Sequence, residues 1–145
     1  MKCTMECALQ HVHALAKYLH NCSKTYIIHI ALKELGIPSG SEGFLFAKRT
    51  ILILCENRDL PLTNEVYASA GELPNSTFDA RSVESAIRRA IKHAWDERDE
   101  DVWQYYFTTG CSGRTRCPSN KVFLFAVVDF VELWAGFCGE DVYEK

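Results

Sequence analysis

The feature that most constrains this sequence is an unbroken apolar stripe at helical spacing between residues 80 and 98. Its members recur every three or four positions, which is typical of one face of an α-helix. They are Val83, Ala86, Ile87, Ala90, Ile91, Ala94 and Trp95. Asp79 precedes the stripe and is a suitable N-cap. The chain must therefore bury one face of a long amphipathic helix against other elements.

The remaining apolar pattern is also helical. It predicts helices over residues 4–20, 25–35, 42–58, 63–70, 102–107 and 120–134. Gly36 and Gly71 are placed to end two of these helices, and Ser41 is placed to cap another. Residues 50–54 are β-branched and could be mistaken for a strand, but no alternating partner strand lies nearby. We therefore predict an all-α fold, with Leu45 and Leu54 on the apolar face of the helix over 42–58.

Charge and hydropathy restrict the function. The 145 residues include 16 Lys and Arg against 19 Asp and Glu, giving a net charge of −3. This balance counts mildly against nucleic-acid binding, because dedicated binders are usually basic. His11 and His13 interrupt the N-terminal segment where a signal peptide would need apolar residues. The longest apolar stretch, residues 122–128, is too short to cross a membrane, so we expect a cytoplasmic protein.

The seven cysteines favour reduced thiols, because no secretory signal accompanies them. Cys3, Cys7 and His11 would share one helix face and could hold a metal ion. A structural zinc site usually draws ligands from a second segment, and none is evident, so we predict no metal and no cofactor. A thiol- or metal-linked sensor is one functional hypothesis that these residues leave open. The cysteines that motivate it are Cys3, Cys7, Cys22, Cys111 and Cys117.

Enzyme chemistry has little support in the sequence. There is no glycine-rich phosphate loop, no GxSxG motif and no pair of carboxylates in an apolar setting. We therefore predict that the protein is not an enzyme.

A short helix, a turn and a long helix with a basic outer face predict a helix-turn-helix, whose second helix contacts base edges in the major groove of DNA. A solvent-exposed basic face without function is the plainer interpretation, since helix pairs are common. The candidate DNA-binding residues of the long helix are Arg81, Ser82, Glu84, Ser85, Arg88, Arg89 and Lys92. Arg114, Arg116 and Lys121 are candidates for additional phosphate contacts.

Four segments, taken together, resemble one known family. They are SVESAIRRAIKHAW (82–95), ALKELGIPSGSEGFLFAKRTI (31–51), the Val66-Tyr67 pair, and CPSNKVFLFAVVD (117–129). In order and spacing they are similar to the DNA-binding effector domain of the master sporulation response regulator of endospore-forming bacteria. The resemblance covers about residues 25–133. It implies a six-helix bundle with an embedded helix-turn-helix that binds promoter DNA and activates or represses transcription.

The sequence also departs from that family. Ser82 and Ser85 stand where family members usually carry Arg, and each lost Arg–guanine contact would remove about 1–3 kcal/mol of base discrimination. Gly71 and Pro74 fall where the family has continuous helix, in a segment about two residues longer. The phosphorylated receiver domain that normally precedes the family's effector domain is not expected, because residues 1–24 contain a single acidic group, Glu6.

We therefore expect an N-terminal amphipathic helix and linker over 1–24, a helix-turn-helix domain over 25–135 and an acidic tail over 136–145. The leading hypothesis is a stand-alone transcriptional regulator that binds double-stranded promoter DNA. The alternative is a diverged family member that has lost specific DNA binding and acts as a protein–protein interaction module. A second copy of the chain and RNA polymerase are further candidate partners.

Overall fold

The computed structural model describes residues 24–107 and 116–143, with side chains described as far as Trp134. Its α-helices are Lys24–Glu34 (α1), Glu42–Glu56 (α2), Tyr67–Ala70 (α3), Ala80–Asp96 (α4), Glu100–Tyr106 (α5) and Asn120–Tyr143 (α6). A π-helical turn, Leu62–Val66, runs directly into α3. Within these ranges there is no β-strand, which confirms the all-α prediction. The predicted helix over 4–20 lies outside the described residues.

The turn between α1 and α2 forms as the sequence predicts. Gly36 has φ +92°, a left-handed conformation that glycine adopts without a side-chain penalty. Its N–H donates to Lys33 O, and the N–H of Ile37 donates to Leu32 O, both at 3.0 Å. These two bonds form the Schellman motif that closes a helix. Ser41 then caps α2, because its Oγ accepts from the N–H of Phe44 at 3.1 Å.

Helix α2 crosses α4 at close range. A Cβ atom at Gly43 would lie 2.5 Å from Ala90 Cβ and 2.6 Å from the carbonyl oxygen of Ala86. Any larger residue at Gly43 would therefore push α4 away. This contact fixes how far the long amphipathic helix stands from the rest of the bundle.

The core is formed mainly by α2, α4 and α6. Its largest fully buried side chains are Tyr67, Phe46, Phe123, Ile28, Leu32, Leu35, Ile51, Leu54, Ile87, Ile91, Leu124 and Val66. Residues 50–54 are helical, as predicted. Leu45 was expected in the core but is 40% exposed, because the neighbouring Phe44 and Phe46 occupy the inward positions.

Helix α5 is attached to α1 through aromatic side chains. Trp103 Nε1 donates to Leu35 O at 3.0 Å, and the Trp103 ring stacks on Phe107 with centroids 5.1 Å apart. Tyr106 donates its hydroxyl to a carboxylate oxygen of Glu34 at 3.0 Å. Burial, reinforced by the negative charge of Glu34, raises the pKa of Tyr106 far above its ordinary value. Like an ordinary tyrosine, it is protonated at neutral pH and can donate this bond.

Several helix boundaries differ from the prediction. The long helix ends at Asp96 and α2 ends at Glu56, each two residues early. The last helix was expected to end near Trp134, but α6 continues to Tyr143. Gly136 stands just after the predicted end of this helix, yet a glycine weakens a helix interior by only about 0.5–1 kcal/mol relative to alanine.

Candidate nucleic-acid interface

Helix α4 begins at the N-cap that the sequence predicts. Asp79 Oδ1 accepts from the backbone N–H of Ser82 at 2.8 Å. Hydrogen bonds from Ser82 lower the pKa of Asp79, because they stabilise the charged carboxylate. The cap fixes the first turn of α4, which carries the exposed side chains of Arg81 and Ser82.

The buried stripe of α4 determines which residues point outward. Val83, Ile87 and Ile91 are at most 1% exposed, so the opposite face of the helix is turned to solvent. The seven candidate residues of α4 lie on or at the edge of this outer face. Arg81, Ser82, Arg88, Arg89 and Lys92 are exposed, whereas Glu84 and Ser85 are half-buried.

A groove of about 1420 Å³ runs along this face. Outer-face residues of α4 from Glu84 to Asp96 form one wall, and the residues around Pro61 and the N-terminus of α6 form the others. The candidate residues that line it are Glu84, Arg88, Arg89, Lys92 and Lys121. The structure thus brings Lys121 onto the same surface as the basic side chains of α4.

Other candidates lie outside the groove. Arg81, Ser82 and Ser85 lie in the first two turns of α4 and do not line the groove, although Glu84 between them does. Arg116 is exposed and immediately precedes Cys117, a lining residue, but does not line the groove itself. Arg114 lies outside the described residues.

Asn120 connects the walls of the groove. Its side-chain amide donates to the backbone carbonyl of Glu84 at 3.0 Å and lies 3.4 Å from the hydroxyl of Tyr67. Burial raises the pKa of Tyr67, and the bond to Asn120 opposes this shift. One side chain therefore links α3, α4 and α6. The sequence allows either Ser119 or Asn120 to cap this helix, and Ser119 Oγ does so by accepting from the N–H of Val122 at 3.2 Å. The bonds of Asn120 to α3 and α4 were not predicted.

The charges of α4 are partly paired. Arg88 lies 3.5 Å from Glu84, and Lys92 lies 2.9 Å from Asp96. All four side chains are at least one-third exposed, so each pair adds little stability and can open easily. The helix contains four basic residues and two acidic ones, a local charge of +2. Within the described ranges, Arg81 and Arg89 form no ion pair.

The segment between α3 and α4, where the sequence predicts only a turn, is a small hairpin. Glu72 and Thr77 form an isolated antiparallel bridge, and Phe78 N–H donates to Gly71 O at 2.9 Å. Arg49 holds its base: Nε donates to Ala70 O at 2.8 Å and Nη2 to Glu72 O at 2.9 Å. Gly71 and Pro74 thus end helix α3, and the chain continues as this hairpin.

Comparison with known families gives a match over most of the described helices. The family model for the sporulation initiation factor Spo0A C terminal matches residues 27–131, which is 105 of the 145 residues. The chain belongs to this family. It is a family of DNA-binding regulatory domains and not of enzymes, and DNA is accordingly the partner that the match supports. The matched region extends from α1 into α6 and contains the α3–α4 pair with the candidate residues.

Two further properties concern the described part alone. No group of three or more His, Cys, Asp or Glu side chains there is arranged to hold a metal ion. Cys3, Cys7 and His11 lie outside it. None of the helices in residues 24–107 and 116–143 combines the length and the apolar character that a membrane crossing needs.

Proposed function

We propose that this domain is a transcriptional regulator that places α4 in the major groove of promoter DNA in the cytoplasm. The observation that carries the proposal is the outer face of α4, which carries five exposed and two half-buried polar candidates within a domain of the Spo0A C-terminal family. A helix about 10–12 Å across with a polar outer face fits the major groove.

The position of each side chain along α4 suggests its role. Arg81, Ser82 and Ser85 belong to the first turns, the part of a recognition helix that reaches base edges. Glu84 could accept a hydrogen bond from cytosine once its ion pair with Arg88 opens, and Arg88 could then donate two bonds to guanine. This exchange needs little energy because the Arg88 side chain is 68% exposed in the pair.

Phosphate contacts would come from both sides of the groove. Arg89 and Lys92 extend from α4, and Lys121 extends from the opposite wall. Arg114 and Arg116 precede that wall in sequence and would extend the same basic surface. Such contacts fix the register of a protein on DNA but carry no sequence information.

A second candidate function is favoured by the acidic groups of the same surface. Asp59, Glu84 and Asp96 also line the groove, and two of them pair with Arg88 and Lys92. A domain in which these pairs stay closed would bind DNA weakly. It would then act as a protein-interaction module, with a second copy of the chain or RNA polymerase as candidate partners.

Fluorescence anisotropy with labelled duplexes across a salt series distinguishes the two functions. Promoter fragments and random-sequence DNA should be compared for wild type, Arg88→Ala/Arg89→Ala and Lys33→Ala/Lys48→Ala. The second double variant removes the same charge from α1 and α2, away from the groove. We expect the first double variant to weaken binding strongly and to lower the salt dependence by the equivalent of one or two phosphate contacts.

The control variant should bind nearly as wild type does. No binding by wild type at low salt, where phosphate contacts are strongest, would refute the regulator function and favour the interaction module. Equal losses for both double variants would instead indicate attraction by net charge alone, without a defined role for α4.

A further inference from the structure

The hairpin between α3 and α4 presents an unusual tip. Pro74, Asn75, Ser76 and Thr77 are all exposed, and none of the three polar side chains makes a hydrogen bond in the described part of the chain. The tip is therefore a set of free neutral donors and acceptors at the surface.

The base of the hairpin is held firmly, although its tip is exposed. Two bonds from Arg49 fix the backbone at its start, and the N–H of Leu73 donates to Ser76 O at 3.0 Å across the turn. The Phe78 ring packs edge-on against Phe46 of the core with centroids 5.2 Å apart. A rigid tip loses little conformational entropy when it binds a partner.

The tip also has a defined place relative to α4. Two residues separate Thr77 from the helix, and one of them is the N-cap Asp79. Recognition helices enter the major groove with their N-terminal residues toward the bases, so the segment just before the helix lies close to a DNA strand. Asn, Ser and Thr side chains are common donors to phosphate and sugar oxygens.

We propose that the hairpin tip, residues 75–77, is a second DNA-contacting element that binds the sugar–phosphate backbone next to the site of α4. This inference rests on the proposed function. The tip contributes neutral hydrogen-bond donors, which should tighten binding equally on all DNA sequences. Because these donors are uncharged, they release no counterions and leave the salt dependence of binding unchanged.

The experiment introduces one charge at the tip. Asn75→Asp is nearly isosteric and should weaken DNA binding by roughly fourfold at low salt, the effect of one unit charge about 5 Å from a phosphate in water. Asn75→Lys should strengthen binding by a similar factor, a result that a folding defect cannot produce. Gln104→Glu and Gln104→Lys are the matched controls, because Gln104 is an exposed amide on α5.

The outcomes separate this inference from the function on which it rests. A backbone contact is supported if the two Asn75 variants shift the DNA affinity in opposite directions. These shifts should be equal on promoter and random DNA, and larger than the shifts of the Gln104 variants. Affinity shifts at Asn75 no larger than those at Gln104 would overturn the proposed contact of the hairpin tip. In that case, loss of binding by Arg88→Ala/Arg89→Ala would still support the role of α4. A change confined to one promoter sequence would overturn it as well, because the tip would then contact bases. If wild type binds no DNA, both proposals fail.

Discussion

The side-chain amide of Asn120, the first residue of α6, donates a hydrogen bond to the backbone carbonyl of Glu84 in the second turn of α4. The bond spans 36 positions of sequence and 3.0 Å of space. Because Lys121 is adjacent to Asn120, the same bond helps to hold the backbone of Lys121 beside α4. The amide is thus one of the contacts that join two walls of the candidate interface.

Removal of this amide should destabilise the domain. Asn120→Ala loses one net hydrogen bond, which is typically about 1 kcal/mol of unfolding free energy. Asn120→Asp should be at least as destabilising, because a carboxylate cannot donate to the Glu84 carbonyl. Urea unfolding followed by circular dichroism measures both, with the exposed Asn64→Ala as the neutral control. An Asp variant as stable as wild type would contradict the assigned bond.

Much of the fold follows from local sequence rules. Gly36, Ser41 and Asp79 each stand at the helix end that their chemistry favours, and the structure confirms all three. Periodicity likewise determines which residues of α4 are buried. These features depend on neighbours within one or two turns, so a single sequence suffices to predict them.

The parts that the sequence did not predict depend on distant partners. Arg49 stabilises the hairpin across 21 and 23 positions, and Asn120 contacts Tyr67 across 53. No periodic pattern indicates such bonds. Leu45 illustrates the same limit, since helical spacing alone could not decide whether it or its aromatic neighbours would face the core.

Gly71 should tolerate no side chain. A Cβ atom there would lie 2.2 Å from the carbonyl oxygen of Phe78, which belongs to rigid backbone. The φ of −81° at Gly71 suits alanine, so the expected loss is steric alone and amounts to roughly 1–3 kcal/mol. Gly40→Ala is the matched control, because its Cβ would meet nothing within 4 Å. Thermal unfolding of both variants should show a lower Tm for Gly71→Ala only.

The stabilisation of the domain by the Asp79 cap should depend on pH. Its folded pKa is below the ordinary value of 3.8, so its contribution is complete above that value and is lost as the pH falls through the folded pKa. Asp79→Ala should therefore lower Tm by a constant amount between pH 7 and about 5, and by less at pH 3. Asp79→Asn, which caps without charge, should retain most of the stability. A deficit in the alanine variant that is undiminished at pH 3 would argue against a carboxylate cap.

Thr50 offers a site where the domain can be stabilised. Its side chain is fully buried in α2, and its hydroxyl has no hydrogen-bond partner in the described part of the protein. An unpaired buried hydroxyl is unfavourable, so Thr50→Val, which replaces it with a methyl group of similar size, should raise the unfolding free energy by about 1 kcal/mol. Thr63→Val, at an exposed position before α3, should change it very little. Denaturant unfolding distinguishes the two, and destabilisation by Thr50→Val would mean that the hydroxyl does bind a partner in solution, such as a buried water molecule.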